Sequence, residues 1–70
     1  MSPSMQIHIN GEPQTLDGAL TVADLLARFE LAPQRVAVEI NEELAPRASF
    51  AERRLADGDR VEIVTFVGGG

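Results

Sequence analysis

The sequence contains no cysteine and no lysine, and each gap excludes a kind of chemistry. Without cysteine the chain cannot form a disulfide, a thiolate zinc site or a thiol nucleophile. Without lysine it has no ε-amine for a Schiff base, because all six basic residues are arginine. It also lacks an apolar run near the roughly 18 residues of a membrane span, and residues 1–5 have no signal-peptide pattern. We therefore expect a cytoplasmic protein.

Length and charge restrict the fold and the partners further. Seventy residues suit one domain, whose stability must come from packed aliphatic side chains because the core is small. Eleven acidic residues against six basic ones give a net charge of −5. That charge opposes binding to nucleic-acid phosphates and to anionic membranes. A protein partner with a basic surface fits better.

The first part of the chain has the pattern of a β-hairpin. Residues 5–9 alternate apolar and polar side chains, which predicts a strand with one buried face. Asn10 and Gly11 then form the strongest short turn signal, since a type I′ turn needs positive φ at both positions. A second strand over residues 12–16 should return antiparallel. Pro13 cannot donate to a ladder, so this second strand is predicted to lie at a sheet edge.

One helix is predicted after the hairpin. Thr21 and Asp24 have capping-box spacing, which predicts a helix beginning at Val22. Its apolar face is predicted to consist of Val22, Leu25, Leu26 and Phe29. The helix should stop before Pro33, because the residue preceding a proline is disfavoured in the α region.

Residues 36–40 alternate again and predict a third strand, followed by a short strand at residues 44–45. Ser49 and Glu52 have the spacing of a second capping box, which predicts a helical turn carrying Phe50.

The last elements complete an α+β fold. Leu55 is predicted to enter the core, residues 57–59 (Asp-Gly-Asp) to form a turn, and residues 60–66 to form the final strand. The result is a mixed four- to five-stranded sheet packed on one main helix. Residues 1–4 are expected to be a loose lead-in and residues 67–70 a flexible tail, within a single domain over residues 1–70.

Side-chain chemistry offers little to an independent enzyme. His8 should lie on the sheet face away from the helix, and no nucleophile or orienting carboxylate is spaced to serve it. The Asp-Gly-Asp segment at 57–59 lacks the longer ligand series of an EF-hand and is interpreted as a turn. No phosphate-binding loop, dinucleotide fingerprint or nucleophile elbow is present.

The outer face of the last strand is the more informative feature. Alternation predicts that Val64 and Phe66 point away from the helix. Exposed apolar patches of this kind mark interaction sites. The alternative at this point is that the turn around Phe50 covers both side chains.

Val67 is followed by Gly68, Gly69 and Gly70. Glycine has no Cβ, so such a segment can enter a channel too narrow for side chains. Extended, it would carry the Gly70 carboxylate about 13 Å beyond the last strand. By itself the run favours a disordered end or an expression scar over a functional tail, because disorder concentrates at termini.

Several segments in order carry a resemblance to a known family. They are Val-Ala-Val-Glu-Ile-Asn at 36–41, Pro-Arg at 46–47, Leu-Ala-Asp-Gly-Asp-Arg-Val-Glu-Ile-Val at 55–64 and Val-Gly-Gly-Gly at 67–70. Together with the hairpin and helix signals, they cover about residues 5–70. The chain thereby resembles the ubiquitin-like β-grasp family, and within it the ThiS-type sulfur carriers.

The resemblance implies a site at the carboxylate of Gly70. A ThiF-like adenylyltransferase would use ATP and magnesium to convert that carboxylate to an acyl-adenylate. A sulfur donor system such as a cysteine desulfurase would then yield a thiocarboxylate, which delivers sulfur to a ThiG-like thiazole synthase. Gly68 and Gly69 would provide passage for the tail, while Val64, Phe66 and Val67 would dock the partner. This chain itself would hold no cofactor, metal or catalytic side chain.

Three alternatives remain open from the sequence. The small subunit of molybdopterin synthase resembles the same fold and tail. A carrier for tRNA thiolation or another sulfur pathway is a further possibility. From a different class, the domain is a β-grasp interaction module whose tail is inert.

Overall fold

The computed structural model describes residues 4–66, which form one α-helix and five β-strands. The strands are β1 (Ser4–Ile9), β2 (Glu12–Asp17), β3 (Val36–Ile40), β4 (Glu43–Ala45) and β5 (Arg60–Thr65), and the helix α1 is Val22–Arg28. Two short 3-10 helices, Pro33–Arg35 and Arg47–Ser49, precede β3 and follow β4. Of the predicted lead-in, Ser4 belongs to β1; residues 1–3 and the predicted tail at 67–70 lie outside the described residues.

The strands form a single mixed sheet in the order β2-β1-β5-β3-β4. β1 pairs in parallel with β5, while β1 with β2, β3 with β4 and β3 with β5 are antiparallel. The first and last strands of the chain therefore lie side by side in the sheet. The predicted α+β architecture of one helix and four to five strands is confirmed.

The hairpin turn has the backbone that its sequence predicts. Asn10 has φ 51° and Gly11 has φ 85°. Both lie in the left-handed region that a type I′ turn requires and that glycine occupies without a Cβ penalty. β2 is at the edge of the sheet, where Pro13 lies opposite His8. The edge position predicted from the missing N–H of Pro13 is confirmed.

The capping box at the start of α1 is also confirmed. The backbone N–H of Asp24 donates to Thr21 Oγ1 at 3.2 Å, and the backbone N–H of Thr21 donates to Asp24 Oδ2 at 3.0 Å. Hydrogen bonds from the backbone and then the side chain of Thr21 lower the pKa of the Asp24 carboxyl, with a smaller contribution from Arg28. An ionised Asp24 thus stabilises the helix start.

The end of α1 differs from the prediction at Phe29. This residue is the C-cap and its side chain is 41% exposed, so its assignment to the buried helix face is wrong. The reason lies in Glu30, whose φ of 58° ends the helix one turn early. Glu30 N–H donates to Ala27 O at 3.1 Å and Leu31 N–H to Leu26 O at 2.8 Å, the two bonds of a Schellman motif.

A single hydrophobic core lies between the helix and the sheet. Its buried members are Met5, Ile7, Leu16, Val22, Leu25, Leu26, Val36, Val38, Ile40, Ala45, Phe50, Leu55 and Val61. The predicted burial of Leu55 and of three of the four helix positions is confirmed. Alternate residues of β1, β3 and β5 supply the sheet side of the core, as a two-residue period requires.

The predicted capping box at Ser49 is wrong. Ser49 Oγ donates backwards to Pro46 O at 2.6 Å and does not cap a following helix. A Ser hydroxyl readily bonds a carbonyl three residues earlier, and here that bond supports the 3-10 helix Arg47–Ser49. Phe50 follows this turn and is buried, so the turn still delivers its aromatic ring to the core.

The Asp-Gly-Asp segment is a turn, as predicted. Gly58 has φ 89°. The carboxylate of the buried Asp59 accepts from Ala56 N at 2.8 Å and from Asn41 Nδ2 at 3.0 Å. Asp57 Oδ1 accepts from the backbone N of Gln6 at 2.8 Å. Both side-chain carboxylates accept hydrogen bonds from backbone N–H groups, and these bonds fix the chain where it enters β5.

Candidate functional site: the outer face of β5

β5 is the strand that connects the core to the predicted tail. It lies between β1 and β3, and its residues 61–65 pair with β3 from Ile40 back to Val36. Val61 is buried on the helix side, whereas Val64 is exposed on the outer side. Because a strand alternates faces, one strand both anchors the core and presents a surface to solvent.

The outer face of β5 carries an apolar surface. Val64 is 58% exposed, Phe66 is 52% exposed, and Leu44 of β4 is 68% exposed. Ala37 of β3 lies directly opposite Val64. We define Ala37, Leu44, Val64 and Phe66 as the outer apolar surface. The predicted exposure of Val64 and Phe66 is confirmed, and the alternative that the turn around Phe50 covers them is wrong.

The backbone of Phe66 is fixed by a hydrogen bond although its side chain is exposed. Its backbone N–H donates to Arg35 O at 2.8 Å, which continues the β3–β5 pairing one residue beyond β5. A cavity of about 200 Å³ next to the ring is lined in part by Phe50, Pro46 and Val36. The backbone of the last described residue is therefore fixed to the sheet, while its side chain is half exposed to solvent.

Two carboxylates lie beside the outer apolar surface. Glu39 is directly opposite Glu62 in the β3–β5 register, and both are exposed. Like charges directly opposite each other destabilise a sheet. Within residues 4–66 the one ion pair joins Arg60 to Glu42 at 3.7 Å, so neither of these two carboxylates is paired there. The face is complementary to a partner that brings a basic side chain beside an apolar one.

Two asparagine side chains hold β5 from both sides. Asn10 Oδ1 accepts from Ile63 N at 2.8 Å and Asn10 Nδ2 donates to Ile63 O at 3.3 Å. Asn41 Oδ1 accepts from Arg60 N at 3.0 Å. Both residues have positive φ, at 51° and 52°. The local sequence predicts a turn at Asn10, and no local pattern identifies the long-range contacts of either asparagine.

The other predicted features are located as follows. His8 is exposed, opposite Pro13 on one side and Arg60 on the other, which confirms the surface position predicted for it. Val67, Gly68, Gly69 and Gly70 lie outside the described residues.

Across residues 4–66, His, Asp and Glu side chains form no group of three or more that could hold a metal ion. In the same part of the chain, no helix is long and apolar enough to cross a membrane.

A five-stranded mixed sheet with adjacent first and last strands, packed on one helix, defines the ubiquitin-like β-grasp class. The ThiS family model matches residues 7–70, and the chain belongs to the ThiS family. A crystal structure of a thiamine biosynthesis protein (ThiS) from Geobacter metallireducens is 40% identical, with a TM-score of 0.80. The match covers 94% of this chain and 100% of that one, so the recognised family and fold are confirmed.

Two relatives extend the comparison. The sulfur carrier protein ThiS of Bacillus subtilis is 46% identical over 50 residues, which are 71% of this chain and 76% of that protein. A thiazole synthase from Paramagnetospirillum magneticum is 42% identical over 66 residues, which are 94% of this chain and 20% of that protein. The chain thus spans about a fifth of the length of the thiazole synthases that it matches.

Proposed function

We propose that this protein is a sulfur carrier of thiamin biosynthesis and that the Gly70 carboxylate is its reacting group. The observation that carries the proposal is the exposed apolar surface on β5, which leads towards the glycine-containing segment within the 7–70 family match. Relatives named sulfur carrier protein ThiS and thiazole synthase support the thiamin pathway over molybdopterin synthesis.

The chemistry starts from an unreactive group. A terminal carboxylate has a pKa of about 3.5, so it is ionised at neutral pH and is a poor electrophile. A ThiF-like adenylyltransferase, using its own ATP and magnesium, would attach AMP to a Gly70 carboxyl oxygen and release pyrophosphate. The outer sulfur of an enzyme-bound persulfide would then attack the acyl carbon, forming a C–S bond, breaking the C–O bond to AMP and giving an acyl disulfide. A thiol would reduce that disulfide, taking the inner sulfur into a new S–S bond and releasing the thiocarboxylate. A cysteine desulfurase is the proposed source of that sulfur.

The side chains present indicate which steps belong to this chain and which belong to its partners. With no cysteine or lysine in the chain, a covalent sulfur cannot be held on a side-chain thiol or a side-chain amine of this protein. Catalysis is therefore assigned to the partners, and this chain acts as a cosubstrate. The same proposal has a ThiG-like thiazole synthase receive the sulfur, with Gly68 and Gly69 as the passage. We place the carrier in the cytoplasm because its activation consumes ATP.

Docking is assigned to the outer apolar surface together with Val67. Val64 and Phe66 would bury their exposed side chains against the adenylyltransferase, because removing apolar area from water favours association. Glu39 and Glu62 would receive a basic side chain of that enzyme. The net charge of −5 would increase the rate of encounter with a basic surface.

The test is intact mass spectrometry of the full chain after incubation with ATP, magnesium, an activating adenylyltransferase and a sulfur donor. We expect a mass increase equal to the replacement of one oxygen by sulfur. The Bacillus subtilis carrier, treated in parallel, controls for the activity of the enzymes. No mass change in this chain, under conditions that convert the control, contradicts the proposal.

The pathway is tested separately by complementation. We expect the chain to restore growth without thiamin in a bacterium that lacks its own ThiS carrier. A strain that lacks the small subunit of molybdopterin synthase, tested for molybdoenzyme activity, is the matched comparison. Rescue of the second strain alone would contradict the thiamin assignment and assign the protein to molybdopterin synthesis.

A further inference from the structure

The backbone of β5 leaves one edge open near the start of the predicted tail. Phe66 N bonds Arg35 O, and Asn41 N bonds Arg60 O, so the even-numbered residues of this segment direct their N–H and C=O groups towards β3. In an antiparallel pair, hydrogen-bonded and non-hydrogen-bonded positions alternate. Residues 61, 63 and 65 therefore direct theirs to the opposite side, towards β1.

β1 ends before it can satisfy all three of these residues. Val61 O accepts from Asn10 N at 2.8 Å, and Ile63 is bonded twice by the Asn10 side chain. The chain then turns away at Asn10, and no residue within 4–66 pairs with Thr65 on this side. Among the described residues, the N–H and C=O of Thr65 thus form an unpaired strand edge, which is a template for another chain.

A groove of mixed polar and apolar lining lies directly beside this open edge. It has a volume of about 240 Å³, and its apolar walls come from Ile9, Phe29, Leu31 and Ile63, with Thr65 also lining it. Phe29 is 41% exposed because α1 ends at Arg28 and leaves this end of the sheet uncovered. The groove is on the helix side of the sheet, so it is separate from the outer apolar surface.

The rim of the groove is polar and carries one charge. Glu12 lines it with Asn10 and Gln14. Glu12 is exposed and forms no ion pair within the described part of the chain. An occupant that places an apolar side chain in the groove and an arginine or lysine at its rim would match both features.

We infer that the open edge at Thr65 binds an extended segment of the activating adenylyltransferase by β-strand addition. The segment's backbone bonds to Thr65, one of its apolar side chains fills the groove, and a basic side chain lies at Glu12. The inference rests on the proposed function and identifies the strand edge to which the partner binds. Thr65 is five residues before Gly70, so a strand paired there aligns the segment that carries the carboxylate.

Amide hydrogen exchange measured by NMR on the full chain tests this directly. In the free protein we expect fast exchange at Thr65 and slower exchange at Ile63, whose N–H is bonded to Asn10. In the complex with the adenylyltransferase, saturated without ATP, the Thr65 amide should become protected. Fast exchange at Thr65 in the saturated complex would overturn the inference.

Substitutions provide a second readout. Thr65→Pro removes the free N–H and no bond within residues 4–66, so it should fold, and Pro is tolerated at an open strand edge. We expect it to weaken adenylyltransferase binding about tenfold, as loss of a backbone hydrogen bond and its geometry predicts. Thr65→Ala keeps the N–H and should stay within about twofold of the wild type. Equal affinity of the two variants contradicts backbone pairing.

Other occupants produce different results. Protection of Thr65 that appears in the isolated chain as its concentration rises identifies a second copy, and protection found only with thiazole synthase identifies that enzyme; either result overturns the assignment. Phe29→Ala tests the groove without altering the backbone and should also weaken binding to the adenylyltransferase. Thiocarboxylate formation without Thr65 protection leaves the proposed function intact and rejects this inference alone.

Discussion

The side-chain amide of Asn10 takes the place of a strand residue beside Ile63. It accepts from the Ile63 N–H at 2.8 Å and donates to the Ile63 C=O at 3.3 Å. The two residues are 53 positions apart, and β1 has already ended at Ile9 where they meet. A turn residue thus extends the parallel pairing of β1 with β5 towards the C-terminal end of β5.

Asn10→Gly should lower the free energy of unfolding by about 1 kcal/mol, because both hydrogen bonds to Ile63 are lost. Glycine keeps the positive φ of the turn without strain, so backbone conformation does not confound the result. Denaturant unfolding measures the loss, and exchange of the Ile63 amide should accelerate. Asn10→Asp retains the acceptor and should leave that amide better protected than Asn10→Gly does. Unchanged exchange in Asn10→Gly would contradict the assigned bond.

Val61 and Val64 are on opposite faces of the same strand and should separate stability from binding. Val61→Ala removes buried methyl groups and should cost about 2 kcal/mol of unfolding free energy. Val64→Ala, at a side chain 58% exposed, should cost less than about 0.5 kcal/mol. In titration with the adenylyltransferase, Val64→Ala should bind more weakly than the wild type. A large loss of stability in Val64→Ala would show that this side chain is structural.

Deletion of Gly70 should abolish thiocarboxylate formation and leave the fold intact. The buried core residues of the part that the structure describes lie between Met5 and Val61, so removing the last residue takes away none of them. The midpoint of thermal unfolding and the intact mass after the activation reaction measure the two effects. Addition of an alanine after Gly70 is the matched control, because it moves the carboxylate and preserves every glycine. A stability loss of several degrees, about 1 kcal/mol, would indicate a structural role instead.

Glu30 occupies a position that suits glycine better. Its φ is 58° at the C′ position of the Schellman motif, where residues with a Cβ are strained. Glu30→Gly should therefore raise the unfolding free energy by about 0.5–1 kcal/mol. Ala27→Gly, within the same helix, should instead lower it by about 1 kcal/mol. Destabilisation by both substitutions would show that conformational entropy outweighs the relief of strain at residue 30.

The capping box predicts an acid-sensitive contribution at Asp24. Its pKa in the folded protein is below the ordinary value of 3.8, because Thr21 donates to the ionised carboxylate. This contribution is present above the unfolded pKa and is lost as the pH falls through the folded one. The stability advantage of the wild type over Asp24→Asn should therefore shrink at pH values below 3.8, as measured by denaturant unfolding across pH. Thr21→Ser keeps the hydroxyl and should retain the wild-type pH dependence.

Most of the fold was predictable because its signals are local. The Asn10-Gly11 turn, the capping box at Thr21 and the alternation of strands each depend on a few neighbouring residues. Two of the errors in local structure, at Phe29 and Ser49, share a cause. Phe29 has helical spacing and Ser49 has capping-box spacing, but Glu30 ends the helix early and Ser49 bonds backwards to Pro46. In both cases the local sequence permits several backbone or hydrogen-bond geometries, and the folded protein adopts a different one from the geometry predicted.

The candidate site was predictable in part. Alternation along β5 was sufficient to predict that Val64 and Phe66 are exposed, because the sheet face on which a side chain lies depends on its position in the strand. Leu44 was not identified as part of the same surface, since a three-residue strand is too short to establish a period. The assignment of Gly68, Gly69 and Gly70 depends on the family resemblance and on experiments with the partners.

Local sequence patterns were enough to predict the strands and the helix, the apolar faces, and the chemistry that the missing cysteine and lysine exclude. The contacts across the sheet are visible only in the folded molecule: Asn10 lies beside Ile63, Glu39 lies opposite Glu62, and Thr65 has an open edge among the described residues. Local conformation is encoded by neighbours, whereas these contacts depend on the register between distant strands. That register is set by burial of the whole core, which no short pattern contains.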